Sequence, residues 1–146
     1  MTQKFRLSSV LRARRAAEDV AKGAVLQARA AVHEADEEIA RREQALDESS
    51  APEGGNAWAV AASLAARQSL AASLAAARQV RQSSEELAAR RTDELADAAK
   101  ARWTVEKLAE RHEAMVREQE LNAEQRVVDE LSMTAHQRRG ATGVTA

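Results

Sequence analysis

Apolar and small residues recur at alternating steps of four and three along the first third of the chain. The clearest run is Ala21, Val25, Ala28, Val32, Ala35, Ile39, Arg42 and Leu46. That spacing keeps one face of an α-helix turned toward a partner helix, as in a coiled coil. Arg42 is its one charged member. Upstream the better stripe is Val10, Ala13, Ala17 and Ala21, which implies a shift of register. Gly23 lies inside this helix and costs it about 1 kcal/mol relative to alanine, so a close helix contact is expected there. Ser8 or Ser9 is the expected N-cap, without the Glu or Gln that would complete a capping box.

Ser49 to Asn56 breaks the pattern. Pro52 cannot continue a helix, Gly54–Gly55 permit a sharp turn, and Asn56 is a good N-cap for a second helix. From there to about Gln137 the chain holds neither proline nor glycine. At 1.5 Å per residue, a helix over those ~80 residues would be roughly 120 Å long. Its first part, Ala57–Val80, is rich in alanine and is expected to pack tightly on the back half of the first helix. Beyond Ser83 the expected seam is Leu87 or Ala88, Arg91, Leu95, Ala98, Arg102 and Val105, then Leu108, His112, Met115, Gln119 and Asn122. Val127, Val128 and Leu131 form a last apolar cluster.

The predicted fold is therefore all-α: a two-helix antiparallel coiled-coil hairpin with a longer, overhanging second helix. We expect one domain over 1–146, with helix 1 over about 8–48, a turn over 49–56, helix 2 over about 57–138 and a disordered tail over 139–146. With closure at Pro52, helix 1 covers helix 2 only to about Asp97. The stretch from Ala98 to Arg138 is then left for another chain to cover.

Composition agrees with long helices and excludes several kinds of chemistry. Charged residues make up 31% and aromatics 2%, the profile of a coiled coil. There is no cysteine, which removes disulfides, thiol catalysis and Cys-based metal sites. No apolar run comes after Lys4 and Arg6 as a secretory signal would require, and Ala57–Ala77 is broken at Arg67–Gln68, too short to span a bilayer. A soluble protein is expected. No phosphate-binding glycine loop and no Ser/His/Asp set is present, so the chain reads as a non-enzyme without cofactor, metal or small-molecule substrate. His33 with Glu34 and Glu37 has the spacing of a divalent-ion site, but a solvated polar face explains it more simply.

Charge is unevenly placed. Residues 1–30 carry seven Lys/Arg against Glu18 and Asp19, and residues 31–50 carry seven acids against Arg41 and Arg42. The overall pI of about 6.3 and the lack of interleaved aromatics weigh against nucleic acid. The apolar face is too alanine-rich for strong membrane-surface binding. Trp58 is expected to wedge near the turn, and Trp103 to lie beyond the cover of helix 1.

The two ends of the chain carry a resemblance. Phe5-Arg6-Leu7, then Val10-Leu11-Arg12 and a basic run, resembles the opening of the flagellar export protein FliJ. Glu106-Lys107-Leu108-Ala109-Glu110-Arg111, Arg117-Glu118-Gln119-Glu120 and Val128-Asp129-Glu130 resemble its closing signature. The resemblance implies a coiled-coil stalk of flagellar type III protein export, similar to the γ stalk of rotary ATP synthases. It implies docking in the pore of the hexameric export ATPase, promotion of that enzyme's assembly and activity, and contact with the cytoplasmic domain of the export gate membrane protein and with export chaperones. Such a protein serves motility and is cytoplasmic, held peripherally at the inner face of the cell membrane at the flagellar base. Candidate ATPase contacts are Phe5, Leu7, Leu11, Arg12, Leu108, Arg111, Met115, Arg117, Glu118, Gln119, Asp129 and Glu130. The gate-contacting aromatics of the family have no counterpart in the alanine-rich middle. The competing readings are a helical chaperone-escort and a self-associating coiled-coil scaffold, and the same architecture serves virulence-type export.

Overall fold

The computed structural model describes residues 2–49 and 54–141, with side chains over 7–49 and 54–139. It is an all-α helical hairpin, with no strand among the described residues. Helix α1 (Thr2–Glu48) has 47 residues and helix α2 (Ala57–Ala141) has 85. Because α1 starts at Thr2, Ser8 and Ser9 lie inside it and do not cap it. Asn56 does cap α2: its Oδ1 accepts the Ala59 amide at 3.0 Å. Gly54, at φ +86°, occupies the left-handed region that glycine enters without steric cost. Pro52 and the last five residues, 142–146, lie outside the described residues.

The chain divides into two compact units: Arg12–Arg102, and a terminal unit of Met1–Leu11 with Trp103–Ala146. In the Arg12–Arg102 unit the helices meet along the expected α1 stripe. Val25, Ala28 and Ala35 are buried, and Ala21, Val32, Ile39, Arg42 and Leu46 are half-buried. They face a stripe of α2 that keeps the same alternation: Leu70, Leu74, Ala77, Arg81, Ser84, Ala88, Arg91, Leu95, Ala98 and Arg102. Leu74 and Ala77 are its buried members. Of the two expected choices, Ala88 takes the seam position and Leu87 stays exposed. Two helices with alanine at alternate contacts approach closely but cannot enclose a side chain, and among the described residues none is fully buried. Gly23 is not such a contact. It is exposed, and a Cβ added there would meet nothing within 4 Å.

Upstream of Ala21 the register does not shift. Ala13 and Ala17 are exposed, and the buried residue is Glu18, at 8% exposure. A carboxylate at a core position is tolerable when a cation answers it. Arg102 Nε donates to Glu18 Oε2, and Lys22 Nζ stands 3.2 Å from Oε1. The other charged seam residues are satisfied similarly. Arg81 Nε donates to Asp36 Oδ1 at 2.9 Å and Nη1 to Glu85 at 2.7 Å. Arg42 donates to Glu38 at 2.6 Å and to the Ser73 carbonyl at 2.7 Å. Arg78 bridges to Glu43 at 2.8 Å beside the seam.

These pairs fix how the hairpin closes. The numbers of each cross-helix pair (42 with 73, 43 with 78, 36 with 81, 18 with 102) add to 115–121. Pairing is therefore centred near Ala59, inside α2, and not at Pro52. The start of α2 overruns the end of α1, so the residues expected to pack there stand in solvent. Trp58 is 79% exposed and Leu64 57%, and Val60 is exposed too. Trp58 is thus not wedged at the turn.

In the terminal unit the seam spacing continues. Leu7 and Leu11 of α1 are half-buried, as are Val105, Ala109, His112 and Val116 of α2, while Val10, Leu108 and Met115 are exposed. Beyond Val116 every described side chain to Arg139 is exposed. The bare part of α2 therefore begins after Val116 and not after Asp97, because moving the centre of pairing by about seven residues moves the limit of cover by about fourteen, and α1 begins at Thr2 and not at about residue 8.

Candidate partner-binding surface

The bare part of α2 and the rim of its covered part supply the surface on which a partner would act. Leu108, Arg111 and Met115 are exposed beside the half-buried Ala109 and His112. Arg117, Glu118, Gln119, Asp129 and Glu130 are fully in solvent on the bare part. Leu7 and Leu11 sit on the seam spacing and are half-buried, which ties them to the packing of the terminal unit. Arg12 is exposed and belongs to the Arg12–Arg102 unit. Phe5 is helical, and its side chain lies outside the described residues. Trp103 is exposed because it lies one residue off the seam position Arg102, about 100° around the helix. Distance from α1 is not the reason.

A shallow open groove runs along α2 between His112, Glu113, Val116, Arg117 and Glu120. Arg117 Nη2 lies 3.8 Å from Glu113 Oε2, a solvent-screened pair that holds neither side chain firmly. Lys107 reaches Glu110 at 2.7 Å one turn earlier. Such a groove offers side chains to a second helix and has no enclosed volume for a small molecule. No group of three metal-ligating side chains occurs among the described residues. His33 Nε2 lies 3.3 Å from Glu37 Oε1, and Glu37 also approaches Arg41, so the acid expected to help form an ion site is engaged by neighbours on its own helix.

Titration is perturbed where the helices meet. The hydrogen bond from Arg102 is the main cause holding the Glu18 carboxyl below the usual glutamate range, with Lys22 adding to it against the opposing effect of burial. Arg42, then Arg41, do the same for Glu38. Asp36 raises the Arg81 guanidinium further above its ordinary value. Glu18 and Arg81 each pair across the two helices, whereas Glu38 is held from its own helix beside an open groove lined by Ala35, Arg42, Ala76, Ala77 and Val80.

One part of the surface was only half legible in sequence. Val127, Val128 and Leu131 read as an apolar cluster, but Leu121, also exposed, belongs with them. The seven-residue spacing of Leu121, Val128 and Ala135 is the signal that links them.

No helix among the described residues is long and apolar enough to cross a membrane. No curated protein and no solved structure matches the chain. A family model does: that of the flagellar FliJ protein matches residues 3–141, nearly the entire sequence and both helices. On a match of that extent the chain belongs to the FliJ family and is a component of the flagellar export apparatus.

Proposed function

We propose that this chain is the non-enzymatic stalk of the flagellar export machinery, docking in the hexameric export ATPase, promoting its assembly and activity, and linking it to the cytoplasmic domain of the export gate. The observation that carries the reading is the run from Arg117 to Arg139, helical and wholly exposed, with Leu121, Val127, Val128, Leu131 and Met133 all in solvent. Such a run of helix showing five large apolar side chains calls for cover from another molecule. A ring of subunits around such a helix supplies it. Phe5, Leu7, Leu11, Arg12, Leu108, Arg111, Met115, Arg117, Glu118, Gln119, Asp129 and Glu130 are the contacts proposed for that ring. Export chaperones are proposed as further partners, and the protein is placed in the cytoplasm, peripheral to the membrane at the flagellar base.

The test uses the cognate ATPase. Added full-length protein should raise ATP turnover and the fraction of ATPase in rings. The double variant Arg111→Glu, Arg117→Glu should abolish both effects with helicity by circular dichroism unchanged. No rise in turnover at saturating wild-type protein defeats the docking reading. Unimpaired stimulation by the double variant removes those two arginines from the interface.

A further inference from the structure

The face that α2 offers to a partner is not the one it offers to α1. The α1-facing stripe ends at Ala109, His112 and Val116, and its continuation at the same spacing is Gln119, Ala123, Arg126, Glu130 and Met133, a mostly polar line. The apolar line of the bare segment is Arg117, Leu121, Glu124, Val128, Leu131 and Ala135. It also alternates four and three, but it is turned by well over a quarter of the helix circumference. It has the composition of a coiled-coil seam with one acid in the middle. Among the described residues the acid of the α1 stripe, Glu18, is answered across the interface by Arg102 and on its own helix by Lys22, whereas no cation stands three or four residues from Glu124. Glu124 has no ion pair or hydrogen bond among the described residues. Its surroundings are acidic as well. From 117 to 130 the segment carries Arg117 and Arg126 against Glu118, Glu120, Glu124, Asp129 and Glu130, a balance of −3.

We infer that the Leu121–Glu124–Val128–Leu131 face of α2 receives a helix of the export ATPase, and that this helix places an arginine or lysine against Glu124. The inference rests on the docking reading above and adds to it the face used and the sign of the partner. Apolar positions on either side of Glu124 exclude water from the pair, so an unanswered carboxylate there would oppose docking and a matched cation fixes the register of the two helices. The partner does not extend the track of α1, so docking leaves the intramolecular seam intact.

The experiment compares full-length variants for binding to the cognate ATPase. Glu124→Arg should weaken binding by about tenfold or more, and Glu124→Gln by a smaller factor. Asn122→Arg, the same charge on another face of the same turn, should bind as wild type. Helicity should be equal in all four proteins. Wild-type binding that Glu124→Arg leaves unchanged overturns this inference and spares the docking reading. Equal loss in Glu124→Arg and Asn122→Arg overturns it too, because a general charge effect would then suffice. If wild-type protein fails to bind the ATPase, the docking reading falls and this inference falls with it. If sedimentation instead shows wild-type self-association that Glu124→Arg abolishes, the occupant is a second copy, and the assignment to the ATPase is wrong.

Discussion

The displaced register makes a quantitative prediction from two leucines on one helix. Leu74 is 7% exposed and faces the α1 stripe, whereas Leu64, ten residues earlier, is 57% exposed beyond the end of α1. Closure at Pro52 would cover both. Leu→Ala removes about three carbons, each worth about 0.8 kcal/mol when fully buried, so full burial corresponds to about 2.4 kcal/mol. Scaled by exposure, Leu74→Ala loses about 2.2 kcal/mol and Leu64→Ala about 1 kcal/mol. Both figures are upper bounds, because the unfolded chain also shields part of each leucine. No cavity is added to either, since a two-helix seam lets water reach the vacated space and no described side chain is fully buried. At about 2–4 °C per kcal/mol for a chain of this length, thermal melts followed at 222 nm should fall by about 4–9 °C for Leu74→Ala. Leu64→Ala should fall by no more than half of that. Equal drops in the two variants would mean that α1 reaches Leu64, and the pairing centred near Ala59 would be wrong.

Other expectations arise from single side chains. Gly23→Ala should stabilise by about 1 kcal/mol, read as a higher melting midpoint, because the added methyl meets open space on an exposed helix face. Asn56→Ala should cost about 1 kcal/mol and speed amide exchange in the first turn of α2, where the Ala59 amide loses its side-chain acceptor and keeps only the Asn56 carbonyl. Glu18 and Glu38 bind protons less readily folded than unfolded. Their stabilisation is therefore complete above the unfolded glutamate value of about 4.3 and disappears as pH falls through the lower folded values. Melting midpoints should hold between about pH 7 and 5 and drop below about 4, and Glu18→Gln with Glu38→Gln should flatten that acid limb. An unchanged acid limb would show that these two carboxylates do not govern it.

Much of the fold could be read from spacing alone. The stripe from Ala21 to Leu46 is the observed seam of α1, and Asn56 is the observed cap of α2. Periodicity failed where a charge occupies a seam position. Glu18 has the composition of a surface position, and the neighbouring Ala17 mimics a seam position, so the pattern imitates a slip that does not exist. It failed again in the pairing. A stripe of alternating small residues looks the same after a shift of seven, so the hydrophobic pattern cannot say which turn of α2 faces which turn of α1. The information lies in opposite charges far apart in sequence, 18 with 102 and 36 with 81, which only a trial pairing of the two helices brings forward. The candidate surface was partly legible for the same reason. Exposure of the distal part of α2 comes from unequal helix lengths, but where cover stops depends on the register.

Unequal lengths and register together decide how much of α2 is offered to a partner. With 47 residues against 85, α1 leaves 38 residues of α2 uncovered in any register, and only their division between the two ends can change. Closure at Pro52 would place nearly all of them after Asp97. The observed pairing leaves part of them at the start of α2, around Trp58 and Leu64, and begins the distal share after Val116. Each slip of one heptad would move seven residues from one end to the other. A seam of alanines resists such a slip weakly, since one small contact replaces another. The charged pairs resist it strongly, because a slip takes Arg102 away from the buried Glu18 and leaves that carboxylate only Lys22 of its own helix, and an under-paired buried charge is far more costly than a displaced methyl. Charged residues in this seam therefore do little for the strength of the pairing and much for its position. For a protein that presents a bare helix to other molecules, position determines which side chains are presented.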